Sequence, residues 1–390
     1  MAITYDAPSN TITIVGGPYN FTDVYNADVA GGWGKVHLQG TIQFMIDAKL
    51  IIGDAVNTTT FADTGKQVYF TLTGGVIYVS LRKKSTTTFG TLNDATKKTS
   101  NNGCHFMFAS SGWAWPFQVY SGDATVYFYL YSCVIEFPNV SSGGVAPYVE
   151  DNSGLAIVKI YNCVLDRAAP KNLGSACDIY NIQVTNGYYA LNSMNAPCDV
   201  AFINGAKYAI YGFQNIGDVV SNFVVRNCIT KFFLQDGGSG SRHLVNFDVD
   251  SWNFTWNNSP TGKIYRQYTF DLKVTDKDNN NISGATVSLV DKNGTSIFSV
   301  TTAADGTIAQ QTVSRGYYAA ATGDTLQEYS PHTLTVSKSD YQTYVKTFTL
   351  GAKTVWEIKL AKWSQILFAN GNPVLNIVPT DPENKIVLGL

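Results

Sequence analysis

Apolar and polar residues alternate in short runs along most of the chain. Runs of this kind, bounded by Gly, Asn, Asp or Pro, mark strands that bury one face. Early examples are Ile42-Gln43-Phe44-Met45-Ile46-Asp47 and Lys49-Leu50-Ile51-Ile52-Gly53. One segment reads as a helix instead: Thr22 can cap it, Asp23 sits in its positive first turn, and Gly31-Gly32 end it. A helix ahead of the strands can cover the open first coil of a stacked repeat, which otherwise offers an edge for pairing.

The middle of the chain carries a degenerate repeat. Lys159-Ile160-Tyr161-Asn162-Cys163 is echoed by Asp178-Ile179-Tyr180-Asn181-Ile182, with the two asparagines 19 residues apart. Cys177-Asp178-Ile179 recurs as Cys198-Asp199-Val200, 21 residues on. Thr185-Asn186-Gly187 echoes Ile203-Asn204-Gly205 at a shift of 18, and Val220-Ser221-Asn222-Phe223 echoes Leu244-Val245-Asn246-Phe247 at a shift of 24. Short strands broken by Asn and Gly at about this period suit the coils of a parallel β-helix, because both residues tolerate the left-handed angles of sharp corners. Leucine-rich repeats share the period but need regular Leu and a helix per repeat. An antiparallel sandwich is the competing reading.

Ser259-Pro260-Thr261-Gly262 breaks the pattern, and longer alternating strands with hairpin turns at Asn293-Gly294 and Asp305-Gly306 follow. About seven short strands in under a hundred residues form a sandwich signature. The expected fold is therefore all-β: a right-handed parallel β-helix with a short N-terminal capping helix, then an Ig-like or transthyretin-like β-sandwich. The expected boundaries are a cap at 1–35, the β-helix at 36–258, a linker at 259–267, the sandwich at 268–361 and an apolar docking tail at 362–390.

Composition narrows the function. Only 14% of the 390 residues are charged, the net charge is −2, and no basic stripe occurs, so nucleic acid is not an expected partner. Met1-Ala2-Ile3-Thr4-Tyr5-Asp6 lacks the basic and apolar regions of a signal peptide, and no apolar stretch is long enough to span a bilayer. The six cysteines form no Cys-x-x-Cys pair and the four histidines are scattered, so the thiols read as small buried hydrophobes and no metal or cofactor is expected. Cys177 and Cys198 are expected at equivalent places on successive coils.

Two family resemblances bear on fold and role. Val274-Thr275-Asp276-Lys277-Asp278-Asn279-Asn280-Asn281-Ile282-Ser283-Gly284-Ala285-Thr286-Val287 and the turn Ala304-Asp305-Gly306-Thr307 resemble the carboxypeptidase-regulatory, transthyretin-like sandwich. That resemblance implies a spacer or adhesion module. The repeat region is similar to right-handed β-helix proteins of tail spikes, head fibres and polysaccharide lyases, and Phe21-Thr22-Asp23-Val24 and Phe61-Ala62-Asp63-Thr64 look like openings of such proteins in viruses of bacteria or archaea.

The enzymes among those relatives use paired Asp or Gly-His-Gly motifs, and neither occurs. Asp166, Arg167, Lys207 and Arg226 are the best charged candidates in the repeats and read as solvated residues. Asp276-x-Asp278-x-Asn280 begins like a calcium loop, but Val287 stands where that loop needs Glu. Trp113, Trp115 and Phe117 form the one aromatic cluster beside flexible residues and are the candidate ligand contacts, with no catalytic residue assigned. The expected function is that of a non-enzymatic structural protein at a virion surface, serving capsid decoration, head fibre or tail spike in a bacteriophage or other prokaryotic virus. Its expected partners are further copies in a homotrimer, virion proteins such as the major capsid protein, and a host surface glycan. A cell-surface adhesin or filament subunit and a polysaccharide lyase or hydrolase are the alternatives.

Overall fold

The computed structural model describes residues 2–390 except 74–76, 93–96, 98, 112–113, 121–125, 141–146, 152–154, 194–195, 197, 213–218, 235–239, 258–260, 364–366, 370–371 and 375–390; for 219, 367–369 and 372–374 it describes the backbone alone. Among the described residues the chain is almost all β, with one α-helix, Phe21–Gly31. It divides into two units, Met1–Tyr268 with Ser314–Glu328, and Thr269–Val313 with Tyr329–Leu390. Ser314–Glu328, expected inside the sandwich, thus belongs with the repeats. The reason is aromatic: Tyr318 packs on Trp252 and Phe254 at 5.5 and 4.6 Å, and Asp324 accepts the Phe254 N–H at 2.9 Å. The expected linker also ends early, because Ile264 to Gln267 already pair with Arg242–Val245.

The first unit is built from three ladders of strands, and each circuit of the chain adds one strand to each. Eleven strands form the first ladder; after the opening hairpin they run parallel from Thr11–Val15 through Lys49–Ile52, Ile77–Leu81, Trp115–Val119, Tyr148–Asp151, Ala169–Lys171, Tyr189–Asn192, Tyr208–Tyr211 and Thr230–Leu234 to Phe254–Trp256. The hairpin of Ala2–Asp6 and Thr11–Val15 supplies its first two strands, so residues 1–35 are not a cap apart from the sheet. The second ladder includes Ser85–Phe89, Tyr127–Tyr131 and Ile157–Tyr161, and the third includes His105–Phe108, Val134–Glu136 and Val164–Asp166. Further along, one strand such as Asp178–Thr185 serves both ladders in turn.

Between the second and third ladders the chain turns on a residue in the left-handed region: Ser132, Asn162, Asn181, Val200, Asn222 and Asn246, with φ between 50° and 60°. The side chains of this column bond to one another, Asn181 Nδ2 donating to Asn162 Oδ1 at 2.6 Å and Asn246 Nδ2 to Asn222 Oδ1 at 3.0 Å. Val200 breaks the column, and left-handed backbone is strained for a β-branched residue. The Asp199 carboxylate replaces the missing amide, accepting from Val200 N–H, Ser221 Oγ and Asn222 Nδ2 at 3.0, 2.7 and 2.7 Å.

Inside the ladders lies one continuous core. Its centre is a string of rings in which Phe117 meets Phe106 and Phe128 at 5.1 and 5.0 Å. The helix covers one part of it with Phe21 and Val24, and Phe21 lies 5.1 Å from Phe61. Its cap is Asn20, not Thr22: the Asn20 side chain accepts the Asp23 N–H while the Asp23 carboxylate accepts the Asn20 N–H. All six cysteines are free and buried. Cys104, Cys133 and Cys163 each stand just before a third-ladder strand, and the Cys133 N–H donates to Cys163 Sγ at 3.3 Å. Cys198 faces Ile179, not Cys177, so the expected pairing is out by two residues; both thiols still point inward.

In the second unit Ser296–Thr301, Thr286–Val290, His332–Ser337 and Tyr344–Phe348 form one antiparallel sheet. Phe270 to Asp276 pair in parallel with Thr354–Leu360. Val287, Leu289, Leu334, Val336, Phe270 and Val274 are buried. Asp276 folds back to accept the N–H groups of Asp278 and Asn280, which makes the calcium-like segment a self-bonded turn. Leu367–Ala369 and Asn372–Val374 pair as a hairpin, and the tail run 386–390 lies outside the described residues.

Two outcomes follow from the core. Phe117→Ala is expected to cost about 3–5 kcal/mol in denaturant unfolding, as for a large ring removed from a packed interior. The native thiols, with burial holding Cys177 up to about 11, are expected to resist Ellman's reagent at neutral pH and to react only on unfolding, a result read by absorbance with and without guanidinium.

Candidate functional site: the outer face of the first ladder

Of the three aromatic residues singled out in the sequence, Trp113 lies outside the described residues. Phe117 is fully buried in the core, so it presents no ring to a ligand. Trp115 opens a first-ladder strand and packs, partly exposed, with Tyr148, Ala169, Tyr188 and Tyr189 into a small apolar cluster separate from the main core. It is the one expected site residue that joins a surface feature.

That feature follows from strand alternation. Val149, Leu191, Ile210 and Phe232 point inward along the first ladder, so the residues between them point outward. One outward row runs Glu150, Lys171, Asn192, Tyr211 and Phe233, and the next places Ala169, Ala190 and Ala209 one above another. The alanines leave room for rings, and Tyr148, Tyr189, Tyr208 and Tyr211 gather there. Tyr148 and Tyr189 lie 6.3 Å apart at 19°, and Tyr189 and Tyr208 5.6 Å apart at 23°, near-parallel but offset. Tyr211 stacks on Phe233 at 4.6 Å.

Polar groups in this face hold one another. Glu150 is buried, and Lys171 Nζ and Asn172 Nδ2 both donate to its carboxylate at 2.9 Å. The same ammonium sits 4.5 Å over the Tyr148 ring, whose hydroxyl accepts from Asn192 Nδ2 at 3.2 Å. Lys207 donates to the Tyr188 hydroxyl at 2.8 Å and lies over its ring. Lys231, buried, pairs with Asp250 at 2.9 Å and donates to the Cys228 carbonyl. Burial holds the phenols of Tyr148 and Tyr189 well above their ordinary value, with neighbouring phenols adding to it.

A second aromatic group stands on the outer side of the second ladder. Tyr127, Tyr129 and Tyr131 alternate with Phe128 and Leu130, which are buried in the core. Lys97 reaches over Tyr161 and Tyr180 at 5.3 and 5.2 Å and pairs with Asp178 at 2.7 Å. Of the charged candidates, Arg226 pairs with Asp248, while Asp166 accepts from Thr185 and Asn186. These residues lie on the third ladder, away from the Glu150 row. The sequence carries a signal for the Glu150 row in its spacing: Glu150, Lys171, Asn192 and Tyr211 recur 19 to 21 residues apart.

No protein-family model matches this chain, and no curated protein is significantly similar to it. Among the described residues no group of three or more His, Cys, Asp or Glu could hold a metal ion, and no helix is long and apolar enough to cross a membrane.

Removal of the Lys171 ammonium leaves Glu150 a buried carboxylate with one amide partner. Lys171→Met is expected to cost about 1–3 kcal/mol in stability, measured by urea unfolding at neutral pH. Burial also pushes Tyr131 up to about 12, above its unfolded value. The folded state therefore keeps that proton longer, and the stability it contributes is whole below about pH 10 and lost as pH rises toward 12. Phenolate absorbance during alkaline titration is expected to rise late, together with loss of the native fold.

Proposed function

We propose that the chain is a non-enzymatic structural protein of a virion surface in a prokaryotic virus, its first unit a right-handed parallel β-helix and its second a transthyretin-like β-sandwich. The observation that carries this reading is the register of the three ladders, circuit after circuit, around one buried core. Such stacking gives stiffness and slow unfolding, because each circuit is clamped by its neighbours through backbone hydrogen bonds and shared apolar surface. The charged groups of the outer faces support a structural role as well. Glu150, Asp250 and Asp178 are each tied to a lysine at 2.7–2.9 Å, an arrangement that fixes geometry. In this reading the β-helix provides rigid display and the sandwich and tail engage the shell, with the major capsid protein as the natural partner.

Immunogold labelling and mass spectrometry of purified particles test the setting. Label on the capsid, fibre or tail surface is the expected result. Label on the host envelope and not on particles would move the assignment to an adhesin or filament subunit. The non-catalytic part is tested separately by incubation with bacterial capsular polysaccharides. No release of reducing ends is expected, and release abolished by Glu150→Gln in a folded protein would contradict it.

A further inference from the structure

We propose that Tyr161, Tyr180 and Asp178 form a binding site for a primary ammonium group, and that Lys97, on the long connection between Ser85–Phe89 and His105–Phe108, is its tethered occupant. The inference concerns the first unit alone and does not depend on the virion setting.

The ladder register builds the site. Tyr161 and Tyr180 stand opposite each other on adjacent circuits of the second ladder, and Asp178 lies on the same outward face as Tyr180. The two rings are 6.4 Å apart at 82°, and Lys97 Nζ lies 5.3 and 5.2 Å from their centroids. Asp178 closes the corner: its two carboxylate oxygens lie 2.7 and 3.0 Å from Nζ, and the Tyr161 hydroxyl donates to one of them at 2.7 Å. The ammonium thus spends two of its three donors on the carboxylate and presents its charge to both rings. Tyr161 is buried, so one wall of the corner is fixed.

Strand pairing alone would give Asp178 a different partner. Lys159 stands opposite it in register, yet the Lys159 ammonium lies over Tyr129 at 5.3 Å, and Asp178 takes its lysine from 81 residues back in the chain. The connection that delivers Lys97 is itself docked. Later circuits turn this corner on one left-handed residue, such as Asn162 or Asn181; here residues 90–104 do so, of which 90–92, 97 and 99–104 are described. The Thr99 and Ser132 hydroxyls bond to each other, and Asn162 Nδ2 donates to the Lys97 carbonyl at 3.1 Å and to Thr99 Oγ1 at 2.9 Å. Because Asn181 donates to Asn162, this run of corner amides ends on the connection. Gly90 and Gly103 lie so close to the next circuit that a side chain at either would run into the Tyr131 carbonyl.

The chemistry of the corner selects the ligand. A single carboxylate is too few ligands for a divalent metal ion, and a neutral alcohol gains nothing from the ring faces. An alkylammonium uses both. The Lys97 and Asp178 side chains are 34% and 27% exposed, so a small ligand can reach the place of the tethered one. Lys97 holds the site by the high effective concentration of a tether.

Hydrogen exchange of the full chain, read by mass spectrometry at the peptide holding Ser100, is the test. The Ser100 N–H donates to the Thr91 carbonyl at 3.1 Å and reports whether the connection is closed. Every protein compared carries Lys159→Met, which keeps the in-register lysine out of the site. Lys97→Ala is expected to speed exchange at Ser100 roughly tenfold. Added n-propylammonium chloride, which restores the atoms the substitution removes, is expected to slow it again by roughly threefold or more. Sodium chloride and n-propanol at the same concentration should have no such effect, and Asp178→Asn added to Lys97→Ala should abolish the response to propylammonium. Exchange in Tyr208–Tyr211 on the first ladder is the control for a lost fold. If Lys97→Ala disturbs that control, Lys97→Gln, which keeps the stem and loses the charge, is expected to speed exchange at Ser100 alone. Exchange at Ser100 unchanged by loss of the Lys97 charge overturns the proposal. So does slowing by propanol equal to that by propylammonium, or slowing that survives Asp178→Asn.

Discussion

The structure depends on one repeated backbone event, the left-handed corner at which, from Ser132 onward, the chain passes from the second ladder to the third. The circuits differ in length, 19 residues from Asn162 to Asn181 and 24 from Asn222 to Asn246. The strands therefore keep register only if each circuit returns to the same corner. A slip of one residue would turn each inward side chain of that circuit out into water. The corner column from Ser132 to Asn246 holds that register, and Asn serves there because its short amide tolerates positive φ and bonds to the amide of the next circuit. Where the amide is lost at Val200, a carboxylate one residue earlier accepts from the Asn222 amide in its place.

From that register the rest follows. Inward positions stack Phe, Val, Ile and Cys into one core, and all six cysteines stay free within it. Outward positions stack as well, and the same spacing that lines up the core lines up Glu150 with Lys171 and Tyr189 with Tyr208. The outer faces then diverge by their connections. In the second unit turn residues do the corresponding work. At Gly306, φ is 77° and an added Cβ would fall 2.5 Å from the Val274 carbonyl, so Asp305-Gly306 is the only chemistry that brings this turn so close to its neighbouring strand.

Much of this was legible in the sequence, and the failures have physical causes. The Asn162–Asn181 and Asn222–Asn246 echoes are true register, because the corner demands that residue type. The Asn186-Gly187 and Asn204-Gly205 echo is out by one: Asn186 stands over Gly205, and both residues accept left-handed backbone, so the dipeptide can slide along the pattern unnoticed. The Cys177 and Cys198 echo, at a shift of 21, fails because the corners Asn181 and Val200 are 19 residues apart, and Val at a left-handed corner is an occupant that no propensity would select. Composition could not show that Ser314–Glu328 returns to the first unit, since that return depends on the contact of Tyr318 with Trp252 and Phe254. The aromatic cluster is legible only in part, because inward or outward sense depends on strand phase, and that phase places Phe117 in the core while Trp115 stays partly exposed.

Disulfide trapping across two circuits tests the central register most directly. Thr86 and Tyr127 stand opposite each other on adjacent second-ladder strands, both partly exposed, although 41 residues separate them. Strands about 4.8 Å apart bring such a pair within disulfide reach, whereas a partner two residues further along lies beyond it. Thr86→Cys with Tyr127→Cys, mildly oxidised and analysed by non-reducing peptide mass spectrometry, is expected to form the 86–127 bridge in nearly every molecule. Thr86→Cys with Tyr129→Cys is expected to stay reduced. A bridge in the second variant and none in the first would contradict the register on which the whole account stands.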